Sequence, residues 1–274
     1  MGTNESKGCD VSDDVTFEDE DDDGALSDAL RSNLTRLIAY AKSADPSLQR
    51  QVAEKLANEA VKPSRQTQIV QLGGLKLLLP LTQSKDVEVQ RLAVHALANL
   101  SVDAENQELM AAEGGIDMLV VMLSSPHPHL QRQASKALAN LGVNAGNKER
   151  ICQAGGVPPL VKLAASKSQV VAVEAIAALA NLAVNDQSEI QIVQEGGLIP
   201  ILDGAASSDI ELQSQCARAL RNLSVNTANK KRILDMGGME ILLVLSRSDE
   251  ERIRQQASKA LANIDLDKDA SRRK

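Results

Sequence analysis

Aromatic side chains are almost absent: the 274 residues hold one Tyr, one Phe and no Trp. Single-stranded nucleic acid is usually held by stacking bases on aromatic rings, so nucleic acid is not an expected partner. Hydrophobic residues still make up 43% of the chain, and the core must therefore be built from Leu, Ala, Val and Ile. That choice favours closely packed helices and argues against β-sandwiches and barrels. Cysteine is equally scarce. Cys9, Cys152 and Cys216 are far apart and odd in number, which excludes a disulfide scaffold and CxxC chemistry. Cys152 and Cys216 sit at small apolar positions and are expected in the core. The chain opens without an apolar leader, and no stretch approaches the roughly 18 apolar residues of a membrane span. A cytoplasmic location is expected. Of the three histidines, His127 and His129 flank a proline in a turn, and no phosphate loop of the GxxxxGK[ST] type occurs. No catalytic constellation results. An enzyme, a cofactor, a metal and a small-molecule substrate are all unexpected.

The net charge of −7 hides a division. Residues 1–28 carry eleven acids against Lys7 alone, a balance of −10, which leaves +3 for residues 29–274. An acidic segment, too charged and too poor in apolar residues to fold alone, precedes a mildly basic body.

What the chain has in abundance is repetition. Gly-Gly pairs stand at Gly73-Gly74, Gly114-Gly115, Gly155-Gly156, Gly196-Gly197 and Gly237-Gly238, every interval being 41. Ala-Leu-Ala-Asn-Leu or a near copy places an Asn at Asn58, Asn99, Asn140, Asn181, Asn222 and Asn263, again at 41. Two independent markers without an insertion define six units. Each reads as a short helix (Asn106–Ala112 or Asn147–Ala154), a Gly break, a second helix (Ile116–Leu123 or Val157–Ala164), a polar turn, and a longest third helix (about His129–Val143). The third helix ends in Asn or Asp: Asp103, Asn144, Asn185, Asn226 and Asp267.

Three helices in about 40 residues, with these Gly-Gly turns and Ala-Leu-Ala-Asn-Leu third helices, resemble armadillo repeats over residues 29–265. The resemblance implies an all-α, right-handed superhelical solenoid of about six repeats. The expected organisation is an acidic tail at 1–28, a truncated capping repeat at 29–60, five repeats at 61–265 and a charged tail at 266–274. In the first unit Ser32-Asn33 occupy the place of the Gly pair.

Stepping about 100° per residue along the third helix from Asn99 puts Val89, Ala93, Leu97 and Leu100 on a buried arc. His95, Leu92 and Glu88 fall beside Asn99 on the opposite stripe. Six such stripes side by side, at roughly 10 Å helix spacing, make a groove about 50–60 Å long. In armadillo relatives the ladder amides bond the backbone of an extended peptide, and an Asn amide does match a peptide unit, donor to acceptor. The alternative is that the Asn side chains tie neighbouring repeats together. Beside the ladder stand Arg91, His95, Arg132, Lys136, Arg218 and Lys259, a basic lining, while Val170, Val173 and Ala177 form an apolar patch in the fourth unit. Nuclear-import armadillo receptors carry Trp four residues before the ladder Asn, and this chain has none. The groove is expected to select an extended acidic segment with an apolar anchor.

Met1-Gly2-Thr3-Asn4-Glu5-Ser6 matches the N-myristoylation pattern at Gly2. One acyl chain holds a membrane only marginally, which makes Cys9 the candidate palmitoylation site. An acylated N-terminus followed by repeats is similar in plan to the fungal vacuolar armadillo adaptor and the armadillo-repeats-only proteins. The expected function is a non-catalytic adaptor, tethered through Gly2 and Cys9 to a cytosolic membrane face. A soluble nucleocytoplasmic transport or signalling factor and a cytoskeletal scaffold are the alternatives.

Overall fold

The computed structural model describes residues 25–272, with side chains over 32–264. Seventeen helices follow one another without a strand among the described residues. The first unit is α1 (Ala25–Ala41) and α2 (Pro46–Ala60); the second is α3 (Pro63–Gln71), α4 (Gly74–Leu81) and α5 (Val87–Leu100). The third comprises α6 (Ala104–Ala112), α7 (Gly115–Leu123) and α8 (Pro128–Leu141), and the fourth α9 (Ala145–Gln153), α10 (Val157–Ala164) and α11 (Gln169–Leu182). The fifth holds α12 (Asp186–Gln194), α13 (Leu198–Ala205) and α14 (Ile210–Leu223), and the last α15 (Thr227–Asp235), α16 (Gly238–Leu245) and α17 (Glu251–Arg272).

Each Gly pair works in two different ways. The first Gly has φ between 74° and 88°, a left-handed conformation costly for any residue with a Cβ. The second has ordinary backbone but no room. A Cβ at Gly197 would lie 2.8 Å from both the Ile192 carbonyl oxygen and its Cγ2. The first and second helices of a unit can therefore turn sharply and stay in contact.

A third periodic marker emerges from the turns before the third helices. Ser43, Ser84, Ser125, Ser166, Ser207 and Ser248 stand at 41-residue intervals, and each Oγ accepts the backbone N–H two residues on. The carbonyls of four of them accept Nε2 of Gln49, Gln90, Gln131 and Gln213. In the last unit Arg254 Nη1 takes that place on Ser248, and in the fourth the position is Ala172. A polar turn is thus closed by its own side chains, as a buried or half-buried loop requires.

Two sequence expectations change. Asp103, Asn144, Asn185 and Asn226 do not end third helices; their side chains cap the N-termini of α6, α9, α12 and α15, each such cap being worth about 1 kcal/mol. In the first unit, where Ser32-Asn33 occupy the place of the Gly pair, α1 is continuous. The last helix continues to Arg272, past the expected boundary at 266.

The third helices α2, α5, α8, α11, α14 and α17 pack in a continuous row. Their Ala and Leu residues form the spine of one core that runs the length of the array; Ala93, Leu97, Ala134, Leu138, Ala175 and Leu179 are fully buried. Small side chains let neighbouring helices approach closely, which is why so few aromatics suffice. Cys152 and Cys216 belong to this interior, 7% and 0% exposed. Burial pushes the Cys216 thiol far above its ordinary range, so it stays protonated.

Candidate functional site: the ladder face of the third helices

The ladder amides are neither idle nor wholly free. Asn181 Nδ2 donates to the Ala139 carbonyl at 2.7 Å and Asn222 Nδ2 to the Ala180 carbonyl at 2.8 Å. Asn140 reaches Ala98 O at 3.4 Å and Ser101 Oγ at 3.0 Å; Asn263 reaches Arg221 O at 3.1 Å and Ser224 Oγ at 3.2 Å. Each carbonyl acceptor lies one residue before the ladder Asn of the preceding unit. The cause is local. At the end of a third helix, the N–H groups of Val102, Val143 and Val225 turn to the ladder Asn carbonyls themselves, three residues back instead of four. The carbonyl one position earlier loses its helical donor, and the next repeat's Asn supplies one. Where a Ser follows two residues after the ladder Asn, its Oγ shares that carbonyl: Ser101 on Ala98 and Ser224 on Arg221, both at 2.8 Å. Gly142 and Ala183 take that place in the other two units, leaving Asn as the side-chain donor, and there the bonds are shortest.

The inter-repeat tie is therefore real, and it engages the Nδ2 group of each of these four amides, with one acceptor for Asn181 and Asn222 and two for Asn140 and Asn263. Oδ1 remains on all four of these partly exposed side chains, and a second N–H on Asn181 and Asn222. Asn99 instead lies 3.2 Å from His95 Nε2, and Asn58 is exposed.

The basic lining divides likewise. Arg91 grips Glu88 of its own helix through Nε at 2.8 Å and Nη2 at 2.5 Å. Arg132 faces Glu174 of the next unit at 3.8 Å, and Arg252 meets Glu211 at 2.9 Å. Arg218 is largely buried and donates to the Ala177 carbonyl at 3.1 Å. Lys136 and Lys259 hold no carboxylate within ion-pair distance among the described residues; Lys259 is exposed and Lys136 half-buried. The field around the second and third units is positive. His95 lies below its ordinary value of 6.5, first because it is half-buried and then because Lys136, Arg91 and Arg132 surround it. Glu174 lies above its ordinary range because burial outweighs the pull of Arg132 and Lys136.

Two residues assigned to the exposed stripe are not there. Leu92 and Ala177 are each only 9% exposed. A helix flanked on both sides by its neighbours opens a strip narrower than the angular count allows, and Arg218 covers Ala177. Of the apolar patch, Val170 at 53% is exposed and Val173 half-buried. Ile210, which the sequence reading passed over, is 47% exposed at the start of the adjacent α14. Gly2 and Cys9 lie outside the described residues. Among the described residues no cluster of His, Cys, Asp or Glu is placed to hold a metal ion, and no helix is long and apolar enough to cross a membrane.

Comparison with known proteins agrees with this geometry. The Armadillo/beta-catenin-like repeat profile matches residues 63–102, 103–143, 144–184 and 226–264. An engineered protein from a structural genomics consortium is 36% identical over 85% of this chain and 97% of its own, with a TM-score of 0.79. A second engineered protein from the same source is 34% identical over 91% of this chain and 66% of its own, with a TM-score of 0.80. A designed armadillo repeat protein in complex with peptide (KR)4 shares the fold at 24% identity, with a TM-score of 0.76 over 84% of this chain and 99% of its own. No curated protein matches. With four matched repeats, an unbroken ladder of third helices and an engineered relative 36% identical over 97% of its own length, this chain belongs to the armadillo/β-catenin-like repeat family.

Proposed function

We propose that this armadillo array is a protein-binding scaffold whose ladder face takes an extended, acidic peptide. The observation that carries the reading is the positive ground around His95, where Lys136, Arg91 and Arg132 converge and Lys136 is not neutralised by a paired carboxylate. The ladder amides offer Oδ1, and Asn181 and Asn222 one further N–H, enough for one or two backbone bonds netting about 1 kcal/mol apiece. Several in a row are required, and this favours an extended ligand over a folded one. The designed relative holds a peptide of alternating Lys and Arg; the charges on this ladder face call for the opposite sign. Val170, Val173 and Ile210 supply an apolar step for one anchoring side chain. No step of this reading requires catalysis.

Tethering to a cytosolic membrane face through acyl groups on Gly2 and Cys9 is the second part of the proposal. It rests on the Met1–Ser6 motif. Intact-mass measurement of protein made in a eukaryotic host reads it directly: an unmodified mass and no membrane fraction would remove it. The groove is tested by fluorescence anisotropy with three peptides of equal length carrying one central Leu, rich in Asp and Glu, in Gln and Ser, or in Lys and Arg. The acidic peptide should bind at least tenfold tighter than the basic one in low salt and lose that lead as salt rises. Equal affinities, or preference for the basic peptide, would overturn the assignment.

A further inference from the structure

Arg218 stands on the exposed stripe of α14, four residues before the ladder Asn222. Its guanidinium is largely buried, yet its only hydrogen bond among the described residues goes to a neutral acceptor, from Nη2 to the Ala177 carbonyl at 3.1 Å. Nε is enclosed and has no acceptor. Nη1 also has no partner, but it reaches the surface. Burial holds this guanidinium below its ordinary pKa; Glu211 opposes that shift, and Arg221, three residues on, adds to it. A charge withdrawn from water is costly unless an opposite charge answers it. No carboxylate of the surrounding third helices does so. Glu174 faces Arg132, Glu211 holds Arg252 and the Gln215 amide, and Glu251 holds the Gln255 amide. These three are the only described carboxylates on α11, α14 and α17. Of the cations on the same helices, Arg252 is neutralised and Arg254 is turned back onto the Ser248 and Asp249 carbonyls. Arg221 has only Gln256 Oε1, at 3.0 Å. Lys259, at the register of Arg218 on the next helix and roughly 10 Å away, is exposed and holds no carboxylate.

We propose that Arg218, Arg221 and Lys259 form a phosphate subsite on the ladder face, which takes a phosphorylated serine or threonine of the bound peptide. The inference rests on the acidic-peptide reading above and adds to it a second anchor, two units beyond Lys136. Charge selects the ligand. Three cations are left without a carboxylate, and the one carboxylate not facing a cation, Glu251, lies eight residues before Lys259, about 12 Å along the helix. Even set against it, two positive charges remain. A peptide carboxylate answers one of them, whereas a phosphate monoester carries about −1.5 to −2 at pH 7 and brings three acceptor oxygens. Guanidinium groups suit those oxygens, because they donate in a fixed fork. The open Nη1 of Arg218 is the donor nearest the ladder amide that would hold the peptide backbone, since Arg218 and Asn222 are neighbours at i and i+4.

The test is anisotropy on the full chain with the acidic peptide, carrying Ser, Asp or phosphoserine in turn at each of several positions on either side of its central Leu. At one position or two adjacent ones, phosphoserine should bind about tenfold tighter than Ser and about threefold tighter than Asp. Arg218→Gln should abolish that step, and Arg218→Lys should restore only part of it, for an ammonium lacks the fork. The exposed change Lys259→Gln should lower the step about twofold or more. Lys136→Gln should weaken all three peptides alike and leave their ratio unchanged. Arg218→Gln removes an unanswered buried charge, so its unfolding midpoint should hold. Phosphoserine no tighter than Asp at every position, an equal gain at all positions, or a step that survives Arg218→Gln would overturn the subsite while leaving the acidic-peptide reading in place. Failure of every peptide to bind would remove both.

Discussion

Replacing Asn222 by Ala removes the donor on the Ala180 carbonyl, where no serine hydroxyl shares the load. Leaving such a part-buried carbonyl without a partner costs about 1–3 kcal/mol. For a cooperative unit of this size each kcal/mol lowers Tm by roughly 2–4 °C, so a fall of about 2–12 °C is expected in calorimetry. The neighbouring units suggest the cure. Ser101 and Ser224 donate to the equivalent carbonyls at 2.8 Å, and Ala183 occupies their position in the affected unit, 2% exposed. Ala183→Ser should therefore recover about half the loss in the Asn222→Ala background while being near neutral alone. The coupling in this double-mutant cycle should reach about 0.5 kcal/mol or more. By the same logic Asn140→Ala and Asn263→Ala, whose carbonyls keep a serine, should cost less than Asn181→Ala and Asn222→Ala. If Asn222→Ala leaves Tm unmoved, or Ala183→Ser gives the same change in both backgrounds, the inter-repeat tie is not the stabilising element described above. A ladder variant that abolishes binding must accordingly be shown to be folded before the loss is assigned to the groove.

Other consequences follow from single sites. The depressed His95 means that the folded state binds fewer protons than the unfolded one just below pH 6.5, so stability should fall as pH drops through that window, and His95→Gln should flatten the slope in a urea-titration series. Glu174→Gln removes a half-buried negative charge from the ladder face beside Arg132; acidic-peptide affinity should rise about two- to fivefold in low salt and less in high salt. Gly197→Ala should destabilise more than Gly196→Ala. The first forces a Cβ against the Ile192 backbone, whereas the second meets open space and bears only the left-handed strain, about 1–2 kcal/mol; chemical denaturation ranks the two.

The periodic framework was legible because glycine and asparagine have conformational and capping roles that no other residue fills as well. The Gly pairs fixed the break between first and second helices at the observed positions, and Val157–Ala164 was delimited to the residue. The two core cysteines were legible from their small apolar register. Less visible were features whose partner is a backbone carbonyl. Asn181 finds Ala139 O only when helices of adjacent repeats lie side by side, and no residue type marks that oxygen. The serine turn escaped notice although its period is equally strict, since Ser is common in any loop. The basic lining was overcounted for a related reason. Arg91, Arg132 and Arg218 read as free charges along one helix, but their partners are Glu88, Glu174 and the Ala177 carbonyl, the last two on a neighbouring helix.

The central claim is that the ladder amides face a ligand with the atoms they do not use to tie the preceding repeat. Side-chain amide resonances of Asn99, Asn140, Asn181 and Asn222 in ¹⁵N-labelled protein report it most directly, titrated with the acidic peptide. The account predicts saturable shifts of several ladder amides at one common Kd, largest near Lys136. Shifts confined to other surfaces, with the ladder resonances unmoved at saturation, would contradict it.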